Sequence, residues 1–485
     1  MKSFKLICLC LLSAIPLKGQ NNTNSPYSTR GFGEIEQFTS AYSRALGGVQ
    51  NGIRTQRSIA FSNPASISGL KYVAFDFGFR TQYSQLSLDQ KTRTQYAGNF
   101  NYFNLAFPVY KKQLLKDSST NKNKNKLYKE YKTIWASGFG ISPYSSINSS
   151  YYTIQKFNND TIIDQGNYYS KTGGLSQLYW MNGVNITPNI SLGLTSAYLF
   201  GQHRNTENYY VFDTGKTRRT YYDNSTQLSG FKFDLGLQIE RKRDTIVRHD
   251  SVFEGGKMVY KTFRYPIRWV FGASYQPQAS MQFSDFRQII TLSNYYSSAA
   301  KDTVANENNI KGNTNIPSAF SAGFSVTLDN KWLMAADYRK EFWSKMNHNL
   351  FSDSFQNGSQ ISVGFAYRPD PDVQFGDALK TKGKKQAKLE YRFGFRSKNW
   401  GYLFKNNLGQ LTPIHEYGLS FGLGIPKTRT DIDGRNKILL KSLFNVSAEY
   451  IRRGNNSQGL IAENVFRLTI GFTFADNWFK QRKFY

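Results

Sequence analysis

The stretch Phe231-Lys232-Phe233-Asp234-Leu235-Gly236-Leu237-Gln238-Ile239-Glu240 decides the fold. Every odd position is apolar and every even one is polar or glycine. Side chains of a β-strand point alternately to opposite faces, so this segment has one oily face and one wet face. The pattern recurs along most of the chain, rich in Phe, Tyr and Trp. A soluble sandwich accounts for a few such strands. A dozen or more, in a chain with an export leader, predict a barrel whose oily face meets lipid.

The leader reads directly from the first residues. Lys2 and Lys5 form a basic start, residues 6–16 are an apolar run too short to span a bilayer, and cleavage is placed near Gly19-Gln20. Cys8 and Cys10, the 2 cysteines of the chain, both fall in this leader. The mature chain therefore has no thiol for a disulfide, a metal site or a nucleophile. Beyond the leader no run of eighteen apolar residues occurs, which argues against a transmembrane helix. These features together predict the outer membrane of a Gram-negative cell.

Composition agrees. The chain carries 38 Phe, 32 Tyr and 7 Trp, yet its mean hydropathy is negative, as expected when only alternate residues face lipid. Aromatic rings suit the headgroup boundaries of such a barrel.

Counting alternating segments yields fourteen: residues 72–83, 95–110, 133–157, 178–186, 190–200, 231–240, 267–275, 320–326, 332–342, 361–367, 389–395, 417–425, 444–450 and 466–474. An even number with both ends on one side is what closure requires, and closure alone removes exposed edges. The tight turns at residues 187–189 and 329–330 fall on the same side by parity, which assigns that side to the periplasm. Longer polar stretches at residues 158–172, 203–226, 291–316 and 344–358 are then expected as outer loops. The organisation read from sequence is a leader over residues 1–19, an N-terminal segment over 20–70, an all-β transmembrane antiparallel barrel over 71–475 and a periplasmic tail over 476–485.

The net charge of +29 invites a nucleic-acid reading, but the excess is clustered. Lys111 to Lys132, Arg241-Lys242-Arg243, Lys380 to Lys388 and Lys480 to Lys483 all lie on the periplasmic side by parity. The ordinary reading is solvated turns; anionic headgroups or an acidic periplasmic protein are the alternative partners. No cytoplasmic groove with stacking aromatics supports nucleic acid.

Residues 25–70 differ from the strands that follow, being rich in small and turn-forming residues. They contain Ser25-Pro26-Tyr27-Ser28, Ala45-Leu46-Gly47-Gly48 and, fifteen residues on, Asn63-Pro64-Ala65. Here the chain resembles the FadL family of outer-membrane transporters. Ser196-Ala197-Tyr198, Ala336-Asp337-Tyr338 and Trp478-Phe479 extend the likeness to its divergent branch with Ser-Pro-Tyr-Ser near the mature start. The resemblance implies a hatch over residues 20–70, with Gly47, Gly48, Asn63, Pro64 and Ala65 as its motif, plugging the lumen. It implies passive uptake of hydrophobic small molecules such as long-chain fatty acids. The same likeness takes in barrels that serve protein secretion, so a non-transporting accessory subunit of a secretion or assembly complex is the alternative.

Proline cannot donate to a strand ladder, so Pro143, with Gly138 and Gly140 nearby, marks either a bulge in the wall or a strand end. The family resemblance makes the bulge a candidate lateral opening through which a lipid-like molecule leaves the lumen.

Chemistry is absent from this reading. Gly418-Leu419-Ser420-Phe421-Gly422 matches a nucleophile elbow in letters only, because strict alternation keeps Ser420 on a strand where the motif needs a strand-to-helix turn. His203, His249, His348 and His415 have no metal-ligand spacing. No cofactor site and no acid–base pair can be named. The expected partners are outer-membrane lipids, a hydrophobic ligand, and other outer-membrane or periplasmic proteins.

Overall fold

The computed structural model describes residues 23–37, 39–56, 58–116, 128–156, 162–213, 216–254, 257–292, 300–347, 349–351, 353–369, 389–433 and 436–476. The leader, the lysine runs at 380–388 and 480–483, and Trp478-Phe479 lie outside them.

Seventeen strands form one sheet. The first, β1 (Glu34–Ile35), is a two-residue strand from the N-terminal segment. The wall begins with β2 (Val73–Leu88), β3 (Lys91–Lys116), β4 (Tyr128–Lys156), β5 (Ile162–Asn185), β6 (Ile190–Asp213), β7 (Lys216–Glu254) and β8 (Lys257–Gln276). It continues with β11 (Ala319–Leu328), β12 (Trp332–Glu341), β13 (Gly358–Tyr367), β14 (Glu390–Lys405), β15 (Leu411–Asp433), β16 (Asn436–Arg453) and β17 (Ala462–Asp476). Each pairs antiparallel with the next, β8 pairs with β11, and β17 returns to β2 in a ladder from Ala462–Ser87 to Asp476–Val73. The result is a closed barrel of fourteen staves.

Two staves are extended by the hairpin of β9 (Ala279–Leu292) and β10 (Ala300–Ile316). Pro277 and Pro317 mark the joints where β8 gives way to β9 and β10 to β11, as expected of residues that cannot donate to a ladder. Beyond these joints β9 pairs with the first half of β7, while β8 pairs with its second half. This explains the 39-residue length of β7, when about 9–11 residues suffice to cross a bilayer.

The outer loops expected at 158–172, 203–226 and 291–316 are corrected accordingly. β5 starts at Ile162, β6 runs to Asp213, β7 starts at Lys216 and β10 covers 300–316. Past the bilayer neither face of a strand is greasy, so hydrophobic alternation fades while the hydrogen-bonded ladder continues. Among the described residues of 346–357 no strand occurs, in line with the loop expected at 344–358.

Facing directions follow the sequence pattern. Phe231, Phe233, Leu235 and Ile239 are exposed on the outer wall, while Lys232 and Gln238 between them are buried within. Aromatic residues cluster across neighbouring staves of the outer surface, as in Phe77–Phe472 and Trp332–Tyr367. The continuous outward apolar band reaches Ile141 on β4, Leu178 on β5 and Phe231 on β7, whereas on β3 it continues past Phe103 to Phe100 and Tyr96.

Replacing Leu235 in this band by arginine should lower barrel stability by about 2–4 kcal/mol. Reversible denaturant unfolding in phospholipid vesicles measures it, with the apolar Leu235→Met as the control for local disruption.

Candidate functional site

Residues 23–70 run inside the ring of staves, and their local structure is built from caps. Ser25 accepts the Tyr27 N–H at the start of a short 3-10 turn, and Ser40 accepts the Ser43 N–H at the start of a one-turn helix, Ala41–Arg44. Asn63 caps a third turn, Pro64–Gly69, by accepting from the Ala65 N–H at 3.1 Å. Proline at its first position has no N–H to waste.

The same Asn63 is an anchor to the wall. Its Nδ2 donates to the carbonyl oxygens of Leu237 on β7 (2.9 Å) and Ala273 on β8 (3.2 Å). Gly47 and Gly48 both adopt left-handed backbone, with φ of +71° and +88°. The Gly47 N–H donates to the Ser420 hydroxyl at 3.0 Å, which gives that serine a structural position on β15.

Contact is this close because the wall is notched with glycine. A Cβ at Gly272 would lie 1.8 Å from the Asn51 carbonyl oxygen, one at Gly394 1.9 Å from the Gly47 nitrogen, and one at Gly193 2.3 Å from the Ala65 nitrogen. Gly236, Gly323, Gly364 and Gly422 play the same part on other staves. Glycine inside a strand marks a place where another backbone approaches. Single glycines at inward-facing positions of several staves carry that signal, but the sequence does not say which backbone arrives.

Polar groups complete the fit. Asp337 on β12 accepts the Gln50 N–H at 2.6 Å and the Asn51 N–H at 2.8 Å. Arg54 reaches Asn185 (2.8 Å) and Gln238 (3.1 Å) and pairs with Glu240 at 3.3 Å. On the opposite side Glu36 pairs with Arg80, Arg44 with Glu449 at 3.5 Å, and Glu34 with Arg453 at 2.9 Å. Arg453, itself buried, also holds Glu463 at 2.7 Å. Burial alone would raise the Glu34 carboxyl, but Arg453 and Arg467 bring it far below the usual carboxylate range, so it stays anionic. With Lys171 donating to Thr29 on β5, Ser325 to Gly52 on β11 and Gln360 to Gln37 on β13, the segment touches all fourteen staves.

Above this layer an apolar cluster fills the far mouth. Tyr27 and Phe32 pack with Tyr144, Leu199 and Met281 from the wall, and with Trp343 and Phe351 from the loop after β12. Between the two layers lies a cavity of ≈ 90 Å³, lined in part by Lys232, Asp234, Arg339, Glu341 and Thr195. Its lining mixes these groups with apolar side chains such as Ile35, Phe61, Met181 and Ile316.

The candidate opening residues occupy different parts of β4. Gly138 and Gly140 sit within intact ladders, opposite Ala106 and Asn104 of β3 and Met181 and Tyr179 of β5. Pro143 lies beside a register shift between Pro143 and Ser145. The β3–β4 ladder ends at Phe103–Ile141, with exposed Phe100 and Tyr96 of β3 beyond it. Beyond it β3 pairs with β2 alone, while Tyr144 to Ile147 are buried on both faces as β4 turns inward. The N-terminal segment spans the parted staves: β1 pairs with Ser145 and Ser146, and Asn24 bonds both the Tyr96 carbonyl of β3 and Asn148 of β4.

The family model BamG matches residues 1–115 and 130–485. The chain belongs to the BamG family. No curated protein matches its sequence. Among solved structures, a Pseudomonas aeruginosa FadL homologue is similar over 91% of this chain and 99% of its own, at 9% identity and a TM-score of 0.50. The CymD monoaromatic hydrocarbon channel aligns over 93% and 99% at 11% identity with a TM-score of 0.46. The Pseudomonas putida toluene transporter TodX aligns over 92% and 99% at 13% identity with a TM-score of 0.44. This BamG-family chain thus shares the FadL-type outer-membrane barrel fold.

Two substitutions test the fit of this BamG-family interior. Gly272→Val should dislodge residues 49–53 and make the N-terminal segment a substrate for protease added to folded barrels, where the parent resists. Arg453→Met removes the shared partner of three buried carboxylates, Glu34, Glu416 and Glu463, and should cost about 3–5 kcal/mol in denaturant unfolding.

Proposed function

We propose that this barrel works closed, as an accessory subunit of an outer-membrane secretion or assembly complex, acting through its surfaces rather than its lumen. The observation that supports this reading most strongly is the filled interior. The free volume beside the N-terminal segment is ≈ 90 Å³, against about 300–1,000 Å³ for small-molecule sites. Four charged groups in its mixed lining, Lys232, Asp234, Arg339 and Glu341, would be stripped of solvent by an apolar guest without replacement of their hydrogen bonds. In this reading residues 20–70 are a fixed plug, with Gly47, Gly48, Asn63, Pro64 and Ala65 as its seat. The rim bearing Arg241, Lys242 and Arg243 faces the periplasm, where it can meet anionic headgroups or an acidic protein.

A second reading, passive uptake of a hydrophobic molecule such as a long-chain fatty acid, is favoured by the parting of β3 from β4 beside Pro143. Beyond the last β3–β4 pair, β3 still presents exposed Phe100 and Tyr96, so the parting overlaps the outward aromatic run. A lateral exit there would require the N-terminal segment that spans the parted staves to move.

Depleting the protein from its cells separates the two. The subunit reading expects folded outer-membrane barrels to fall several-fold, while uptake of a labelled fatty acid, normalised to surviving outer membrane, holds steady. Pro143→Val should leave that uptake unchanged. Normal barrel insertion combined with lost uptake would overturn the subunit reading in favour of transport.

A further inference from the structure

Past the apolar band, β4, β5, β6, β7, β9 and β10 continue as a six-stranded blade. A blade of this kind has two edges, and unpaired edges are templates on which another strand can add. The two edges of this one are built differently.

The β10 edge carries the features that prevent addition. Its register shifts three times, at Ala300/Asp302, Thr303/Ala305 and Glu307/Ile310, and Asn309 sits at a φ of +64°. Asp302, Glu307 and Lys311 place charge along it, all exposed. Bulges and charges twist an edge away from partners and make burial of its backbone costly.

The β4 edge carries none of them. After Ser145 its register against β5 is unbroken to Lys156, and residues 147–155 read Ile-Asn-Ser-Ser-Tyr-Tyr-Thr-Ile-Gln, without a charge, a proline or a glycine. Tyr151, Tyr152 and Ile154 are each about half exposed or more (53%, 49% and 59%). Such β-prone, neutral sequence is what an edge shows when it is meant to be covered.

The lower part of this edge is already covered by a strand. β1 pairs antiparallel with it, Glu34 opposite Ser146 and Ile35 opposite Ser145, and the Glu36 N–H donates to the Tyr144 carbonyl at 2.9 Å. The chain leaves at Gly33, in left-handed backbone, and Ser28 then meets the Asn148 N–H and carbonyl with its hydroxyl. Thus residues 144 and 148 point backbone groups away from β5. With period two, Ser150, Tyr152 and Ile154 do the same, and among the described residues no ladder meets them.

We infer that the β4 edge over residues 149–155 is a docking site for one extended strand of a partner protein, which adds beyond β1. The partner strand would carry aromatic or β-branched residues to lie beside Tyr151, Tyr152 and Ile154, with main-chain hydrogen bonds supplying the affinity. The inference rests on the reading of the protein as a complex subunit and names the surface through which it binds.

Residue-resolved amide exchange tests it, comparing the full-length barrel alone with the barrel in its native complex. The Ser150, Tyr152 and Ile154 amides should exchange freely in the isolated barrel and slow by about tenfold or more in the complex. The Ser149, Tyr151 and Thr153 amides, bonded to β5, should be protected in both. Tyr152→Pro removes one edge-facing N–H and no β5 bond, so the barrel should fold and keep its heat-modifiable gel mobility yet lose the partner. If the complex forms and the alternation does not appear, or Tyr152→Pro binds normally, strand addition is wrong while the subunit reading stands. Protection in the purified barrel that grows with its concentration would assign the edge to a second copy and overturn the proposal. A barrel that always purifies alone, with barrel insertion unaffected by its depletion, removes the subunit reading itself.

Discussion

Hydrocarbon offers no hydrogen bonds, so each backbone N–H and C=O that crosses it must find a partner within the protein. That constraint explains the closure of fourteen staves and the ladder from β17 back to β2. β3 and β4 remain paired from Phe103–Ile141 to Lys116–Tyr128. Where they separate, the protein's own N-terminal segment meets the freed backbone of β4. Pro143 falls at that boundary, where a missing donor costs least.

Inside the ring the problem is reversed: the wall's inner face is polar and must be matched. Glycines let the N-terminal backbone lie against the staves, and Asp337, Asn63 and Gln238 bind its peptide groups directly. The ion pairs of Glu34, Glu36 and Arg44 with wall residues are buried and mutually supporting. A buried charge is tolerated when paired and costly when orphaned, so this layer holds the segment in one register. What remains between the two layers is a small cavity of mixed polar and apolar lining.

The likeness of fold to a FadL homologue and the packing of the lumen therefore concern different levels. Barrel architecture is shared because lipid imposes it. What passes, or fails to pass, depends on side chains in the interior, which the fold leaves free to vary.

Alternation along Phe231 to Glu240 and its repeats determined the strand count, the lipid-facing set and the order of turns, because period two leaves a direct trace in sequence. The Gly47-Gly48 and Asn63-Pro64-Ala65 segments were legible as special, since left-handed backbone and a capped turn demand particular residues. Their targets were not legible: Asn63 meets carbonyls some 170 and 210 residues away, and Arg453 meets Glu34 across 419 positions. The sequence also read residues 203–226 and 291–316 as loops, because strands outside lipid lose the greasy face that betrays them. Tertiary structure alone decided that these form a blade, that the N-terminal segment seals the parted staves, and which strand edge is left uncovered. Those outcomes depend on which distant backbones meet, and a one-dimensional pattern of polarity carries no record of that.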